Sequence, residues 1–269
     1  GSEGTLGVIT RLVLRLYPAQ PAAATALIAA EEFSQVIELR RLLQADLGGS
    51  LASFEVMWPE YYRLTTTPPA PSKPPLAQGY AFYVLVEALG ADAERLRRDF
   101  ERALDHAYNN GLAEDAVVAR SAAQRAALWR VREDSEQIER QHHLTFGFDV
   151  SLPVAEMEEY VEDVRSGLAL HFGAQAACWV YGHLADGNLH INVWAPGLAP
   201  ADRATVERVV YGPLLPVGGS ISAEHGIGLE KRAWLLAQRT PQELALMRGL
   251  KRLLDPHLIL NPQRVLEDG

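Results

Sequence analysis

Two short stretches hold the residues best suited to chemistry. One is Trp179–Trp194, WVYGHLADGNLHINVW; the other is Ser220–Lys231, SISAEHGIGLEK. In the first, apolar and polar residues alternate on both sides of Asp186-Gly187, a dipeptide that favours a two-residue hairpin turn. With Asp186 and Gly187 as the turn residues, Leu184 faces Leu189 and His183 faces His190. Strand side chains alternate between faces. One face then carries Val180, Gly182, Leu184, Leu189, Ile191 and Val193. The other carries Trp179, Tyr181, His183, His190, Asn192 and Trp194. Opposed residues sit about 4.5–5.5 Å apart at Cβ, so two imidazoles there can share one metal ion at ligand distances of about 2 Å.

In the second stretch, Glu224 would complete a His/His/carboxylate set and leave coordination positions open for a substrate. His225 then lies beside the metal as a candidate general base. Gly226 and Gly228 let the backbone approach a ligand closely. A plainer reading stays open: two structural histidines on a strand face and an unrelated charged loop, since spacing alone does not require the two stretches to meet.

The elements that must position these residues read as alternating strands and helices. Strands are expected at Ala23–Ala30, Leu51–Met57, Tyr80–Ala88, Ala116–Ala119 and Thr145–Pro153. Helices are expected at Glu32–Ala45, Asp92–Asn109, Ser121–Gln141 and Val154–His171, with helix or helical turn over 200–217 and helices again at Leu229–Gln238 and Pro241–Leu254. Gly1–Pro18 reads as a glycine turn feeding an alternating strand, and the proline-rich 65–79 as a surface loop. Strand–helix–strand units without a Gly-rich phosphate loop suggest an α+β fold, an antiparallel sheet with helices on one face.

Composition narrows the function classes. The chain has 269 residues and a net charge of -9, which argues against nucleic acid as a partner. The single cysteine, Cys178, rules out an intrachain disulfide and favours an intracellular compartment. No run approaches the roughly 18 apolar residues of a membrane helix, and no signal peptide is visible.

Four motifs occur in a recognisable order: GSEGTLGVITRLVLRLYP, GHLADGNLHIN, SISAEHGIG and LLDPHLILNPQRVL. Together they resemble the flavin-linked D-2-hydroxyacid dehydrogenases (FAD-linked oxidase type 4). These are vanillyl-alcohol-oxidase-like flavoproteins whose members act on D-2-hydroxyglutarate, D-lactate and glycolate. The resemblance implies three parts. Residues 1–20 would end an FAD-binding domain, 21–252 would form a substrate-binding cap of ferredoxin-like repeats with a metal site, and 253–269 would return to the flavin. It also implies roughly 200 residues before Gly1, the missing N-terminal FAD-binding half, without which FAD binding would be weak.

The resemblance further implies site roles. FAD would lie against Gly4, Gly7, Val8, Ile9 and Asn261. A divalent metal, zinc or manganese, would sit on His183, His190 and Glu224, with His225 as the catalytic base. Arg132, in the W-x-x-R-E run, would grip the substrate carboxylate, a task suited to a guanidinium fork, and Asn192 would hydrogen-bond the substrate. The implied reaction is oxidation of a D-2-hydroxy acid to a 2-oxo acid by hydride transfer to flavin. A quinone, a cytochrome or an electron-transfer flavoprotein would then accept the electrons. Two departures matter. Gly147 stands where 2-hydroxyglutarate-specific members carry a Lys, and Glu136 where they carry a Thr. Both remove support for a second substrate carboxylate and favour a monocarboxylic substrate. The implied location is cytoplasmic, peripheral to an inner membrane, or mitochondrial in a eukaryote. Two alternatives remain: a flavin-independent metalloenzyme built on the His/His/Glu triad, and a non-catalytic remnant of the fold.

Overall fold

The computed structural model describes residues 1–267. Its centre is a seven-stranded antiparallel sheet in the order β4-β1-β3-β2-β6-β7-β5. The strands are β1 (Ala22–Ala30), β2 (Leu51–Met57), β3 (Phe82–Gly90), β4 (Asp115–Val118), β5 (Phe146–Ser151), β6 (Ala177–His183) and β7 (Asn188–Trp194). Helices α1 (Phe33–Leu47) and α3 (Ala93–Asn109) connect β1 to β2 and β3 to β4. The order 4-1-3-2 with two crossing helices is a complete ferredoxin-like unit. A second, three-stranded unit, with α6 (Met157–Phe172) between β5 and β6, extends the same sheet through the β2–β6 pairing. The functional hairpin therefore lies in the sheet interior, braced by β2 on one side and β5 on the other.

The sheet buries both faces. On one, Ile28, Val56, Val84, Val86, Val180, Leu189 and Ile191 pack against Phe33, Val36, Leu39, Phe100, Val161 and Val164 of α1, α3 and α6. On the other, Leu27, Met57, Leu85, Trp179 and Tyr181 pack against helices α2 (Pro59–Thr66), α4 (Ala122–Glu133) and α5 (Glu136–Gln141). The expectation of helices on one face is thus corrected. Short runs such as Pro59–Thr66 carry little periodic signal, but Tyr61 and Tyr62 are fully buried there and anchor α2 to the sheet.

Other expectations meet similar corrections. The helix expected over Ser121–Gln141 breaks at Asp134 and Ser135 into α4 and α5. At the break Asp134 leaves helical geometry (ψ 46°) and the Ser135 N–H donates to the Glu133 carbonyl in a tighter turn. The segment expected as a strand before Pro18 pairs with no strand of this sheet. Val8, Ile9, Leu12, Val13, Leu14, Leu16 and Tyr17 stay exposed. An isolated strand leaves its N–H and C=O groups unpaired, so alternation alone does not make one. The 65–79 loop is partly anchored, since Tyr62 Oη exchanges hydrogen bonds with both backbone groups of the buried Leu76. The remaining helices, α7 (Arg203–Tyr211), α8 (Arg232–Gln238) and α9 (Pro241–Leu254), flank the Ser220–Lys231 loop. Helix α9 starts on a Thr240 capping box with Pro241 in its first turn, as its sequence dictates.

The hairpin register also departs from expectation. Leu184–Asp186 form one turn of 3-10 helix and Gly187 takes a left-handed conformation (φ 69°), so the loop has four residues rather than two. His190 pairs with Tyr181, not His183. The cause is Leu184, which is fully buried and draws the loop into the core. A shift of two residues preserves the faces, because side chains repeat every two residues. The apolar and chemical faces therefore stand as expected.

Two predictions follow from the sheet. A Cβ on Gly182 would lie 2.2 Å from the Asn188 carbonyl oxygen across the hairpin. Gly182→Ala should lower stability in a urea titration by at least about 1–3 kcal/mol. The second concerns Glu87, buried on β3, whose carboxylate accepts from Thr25, Arg125 and Trp129. Burial alone would raise its pKa, but these hydrogen bonds outweigh burial and lower it. The stabilisation is present above the unfolded-state value of about 4.3 and is lost as pH falls through the lowered native value. Glu87→Gln should cost about 1–3 kcal/mol at neutral pH, and the gap from wild type should close as urea titrations move to more acidic pH.

Candidate metal centre

The chemical face of the hairpin meets the Ser220–Lys231 loop. His183 Nε2 lies 3.3 Å from Glu224 Oε1, and His190 Nε2 lies 3.7 Å from the same oxygen. One ligand atom from each of His183, His190 and Glu224 falls within 4.8 Å of the others, a spacing that can hold a metal ion. The His183 and His190 rings are 5.5 Å apart at near right angles. The plain reading, in which the two stretches stay apart, does not describe this fold.

Each histidine is backed by a carboxylate on the neighbouring strand. His183 pairs in register with Glu55 of β2, and its Nδ1 lies 2.8–2.9 Å from both Glu55 oxygens. A carboxylate behind Nδ1, with Nε2 directed at Glu224, is the usual arrangement behind a metal-bound imidazole. His190 pairs in register with Asp149 of β5, whose carboxylate lies within 4.8 Å of both His190 and His225. Burial, then the positive charge of Arg132, push the His190 pKa down to about 4. At neutral pH this imidazole is uncharged and offers its lone pair. Asn188, nearly fully buried, donates to Glu224 Oε1 and fixes that carboxylate. The donor set, the carboxylate behind His183 and the neutral His190 imidazole all fit a divalent ion of the zinc class.

His225 is exposed, its ring 5.8 Å from that of His190 and roughly parallel. Arg132 is almost fully buried and faces Glu55: its Nε donates to Oε2 at 3.0 Å, while Nη2, 2.8 Å from the same oxygen, pairs by charge without hydrogen-bond alignment. The guanidinium also lies 4.8 Å from the Tyr181 ring centroid. Glu55 thus bridges Arg132 and His183. Asn192 is half-buried beside Gly147, where an added Cβ would approach its Oδ1 to 3.2 Å. His142 packs between Trp179 and Trp194 on the same face. Burial holds the Cys178 thiol up at about 12, consistent with a structural role.

The residues singled out near the termini meet on the far side of the loop. Glu3 accepts from the N–H groups of Ile227 and Gly228 at 2.7 and 2.8 Å. Gly226 has φ +81°, a left-handed conformation that favours glycine, and its bare Cα faces that carboxylate. Asn261 donates to the Glu3 carbonyl and lies against Gly4. Lys251 ties Thr5 and Leu260 together and pairs with Asp255. Gly4 and Asn261 are therefore neighbours, whereas Gly7, Val8 and Ile9 lie on the exposed extended segment. The reading of the sequence missed Glu55, Asn188 and Glu3, and gave Asp149 no role. An acid inside the apolar run LASFEVM was the available signal for Glu55.

Residues 19–265 match the family described as FAD linked oxidases, C-terminal domain. Over 99% of its length the chain is 34% identical to a mitochondrial D-2-hydroxyglutarate dehydrogenase of Arabidopsis thaliana, covering 47% of that protein. It is 36% identical over 99% of its length to the mitochondrial enzyme of that name from Rattus norvegicus, covering 49%. The corresponding figures for the D-2-hydroxyglutarate dehydrogenase of Xanthomonas citri are 34%, 99% and 56%. The chain thus spans about half the length of these relatives. Among solved structures, an alkyldihydroxyacetonephosphate synthase superposes with a TM-score of 0.65 at 14% identity, over 96% of this chain and 47% of that one. A p-cresol methylhydroxylase gives 0.65 at 12% identity, over 93% and 54%. The likeness to these solved structures is one of fold, and the family match over residues 19–265 places the chain in the FAD linked oxidases, C-terminal domain family.

Proposed function

We propose that this chain is the substrate-binding and metal-binding half of an FAD-dependent dehydrogenase that oxidises a D-2-hydroxy acid to a 2-oxo acid. The observation that carries the reading is the convergence of His183, His190 and Glu224 with His225 alongside. Identity to relatives named D-2-hydroxyglutarate dehydrogenases supports the reaction class. Residues 1–20 are the edge of the flavin-binding domain in this reading, 21–252 the cap, and 253–269 the tail that returns to the flavin. Gly4, Gly7, Val8, Ile9 and Asn261 would then face FAD.

His183, His190 and Glu224 would hold the divalent ion. When bound, that ion supplies a Lewis acid for the substrate hydroxyl, and FAD supplies the acceptor for the C2 hydride. Arg132 binds the substrate carboxylate with the guanidinium donors that Glu55 leaves unspent. Asn192 orients the substrate on the same hairpin face. His225 receives the hydroxyl proton on a ring nitrogen; its exposure gives that proton a path to solvent. The packed Trp179, Trp194 and Tyr181 exclude water from the floor of the site. Gly147, beside Asn192, offers no cation to a second substrate carboxylate. We favour a monocarboxylic D-2-hydroxy acid over 2-hydroxyglutarate on that ground.

In full-length protein, metal analysis should find about one zinc or manganese ion per chain, lost in His183→Ala. Retention of metal by that variant would remove His183 from the ligand set. His225→Ala should retain metal but lose about 10²–10⁴-fold in turnover; unchanged turnover would exclude the base assignment. The substrate is tested by comparing kcat/KM for D-lactate and D-2-hydroxyglutarate, and a clear preference for the dicarboxylate would overturn the monocarboxylic reading.

A further inference from the structure

The Glu-His loop has no secondary structure of its own, yet its backbone converges on one atom. Asp149 Oδ2 accepts from the N–H groups of Ala223, Glu224 and His225 at 3.0, 2.9 and 2.8 Å, and lies 3.2 Å from Ser222 Oγ. Asp149 is fully buried, whereas Ala223, Glu224 and His225 are exposed. A fan of successive N–H groups around one anion is the geometry by which backbone nests grip charged ligands; here the anion is a side chain. Its strand also pairs with the hairpin, placing Asp149 in register with His190. A second tie, the backbone exchange between Ser151 and Ser220, leads the loop back to the same strand. The remaining oxygen, Oδ1, has no hydrogen-bond partner, and Lys231 Nζ, also buried without one, lies 3.9 Å from Oδ2.

We infer that Asp149 is the positioning residue of the metal centre, the side chain that fixes Glu224 and His225 relative to the two hairpin histidines. The inference rests on the metal-binding reading above. Of the proposed ligands, His190 is paired on both sides and His183, at the end of β6, is paired with β2, but Glu224 stands on a loop. A carboxylate ligand on an untethered loop samples many positions, and each one outside the site weakens binding by that fraction of occupancy. Asp149 removes this freedom because three consecutive peptide groups, 223 through 225, cannot turn away without leaving a buried carboxylate unpaired. The same contacts orient the peptide that carries His225. One residue on β5 therefore sets two side chains on a loop more than seventy positions further along the chain.

The test is Asp149→Asn in the full-length protein, which keeps the size of the side chain but removes its charge. Hydrogen exchange should show the amides of Ala223, Glu224 and His225 protected in wild type and exchanging at least about tenfold faster in the variant, with β1–β3 unchanged. Zinc titrated into metal-depleted protein should bind about 10–100-fold more weakly, the usual cost of removing such a partner. Unchanged exchange together with zinc affinity within twofold of wild type overturns the inference. If Asp149→Asn does not fold, Ser222→Ala decides: faster exchange at residues 223–225 supports the inference, and wild-type exchange overturns it. If wild type binds no zinc, the metal reading fails, while the exchange arm still tests the tether.

Discussion

A carboxylate buried in the interior costs several kcal/mol unless cations or N–H groups replace the water it gives up. Among the buried carboxylates of this fold, Glu55 and Asp149 lie on the strands that flank the hairpin. Much of the site's order follows from how each is compensated. Glu55 is satisfied by Arg132 and by the Nδ1 side of His183, so the arginine and the imidazole have their positions fixed by one charge. Asp149 is satisfied by the backbone of the Glu-His loop. The direction of its own titration reflects that grip: burial would raise its pKa, but the His225 and Glu224 amides and the nearby positive charge hold it low. Removing either acid would leave its donors, Arg132 and His183 in one case and three loop amides in the other, without their acceptor.

A sheet interior suits such a site. Strands β6 and β7 are interior to the sheet: the backbone at His190 is paired on both sides and that at His183 is paired with β2, so both have little freedom. The close approach at Gly182 presses the hairpin tight just before its first histidine. The face opposite the chemistry is continuous with the main core, where Val180, Leu189, Ile191 and Val193 are fully buried. Core packing then supports the geometry of the site directly, because close-packed interiors deform little.

The far side of the loop is held differently. Glu3 receives two amides of the glycine-rich turn, and Asn261 and Lys251 gather the two ends of the chain around it. The non-glycine residues with positive φ among those described, Glu3, Leu258, Asn261, Gln263 and Val265, all belong to these two segments. Backbone strain of that kind persists only where surrounding contacts over-determine it. Here the contacts are the hydrogen bonds that join both ends of the chain to the loop carrying Glu224 and His225. The loop is thus clamped by a carboxylate from the sheet at its start and one from the N-terminal turn at its end.

Much of this was legible in the residues themselves. Period-two alternation separated the two faces of the hairpin, and that separation survives a register shift because the shift is even. The Thr240-Pro241 start of α9 and the Asp92 cap of α3 are local signals with local causes. The motifs placed the chain in its family and named the histidines and the glutamate that converge. What sequence could not supply was anything decided by distant partners. The hairpin turn yielded to the burial of Leu184, and the alternating segment before Pro18 found no neighbour to pair with. Glu55 and Asp149 look alike in sequence, each an acid in an apolar strand. Only the fold brings one beneath an imidazole and an arginine and the other beneath a loop more than seventy residues away. The energy of a buried charge depends on which groups surround it, and those are set by tertiary contact rather than by sequence neighbours.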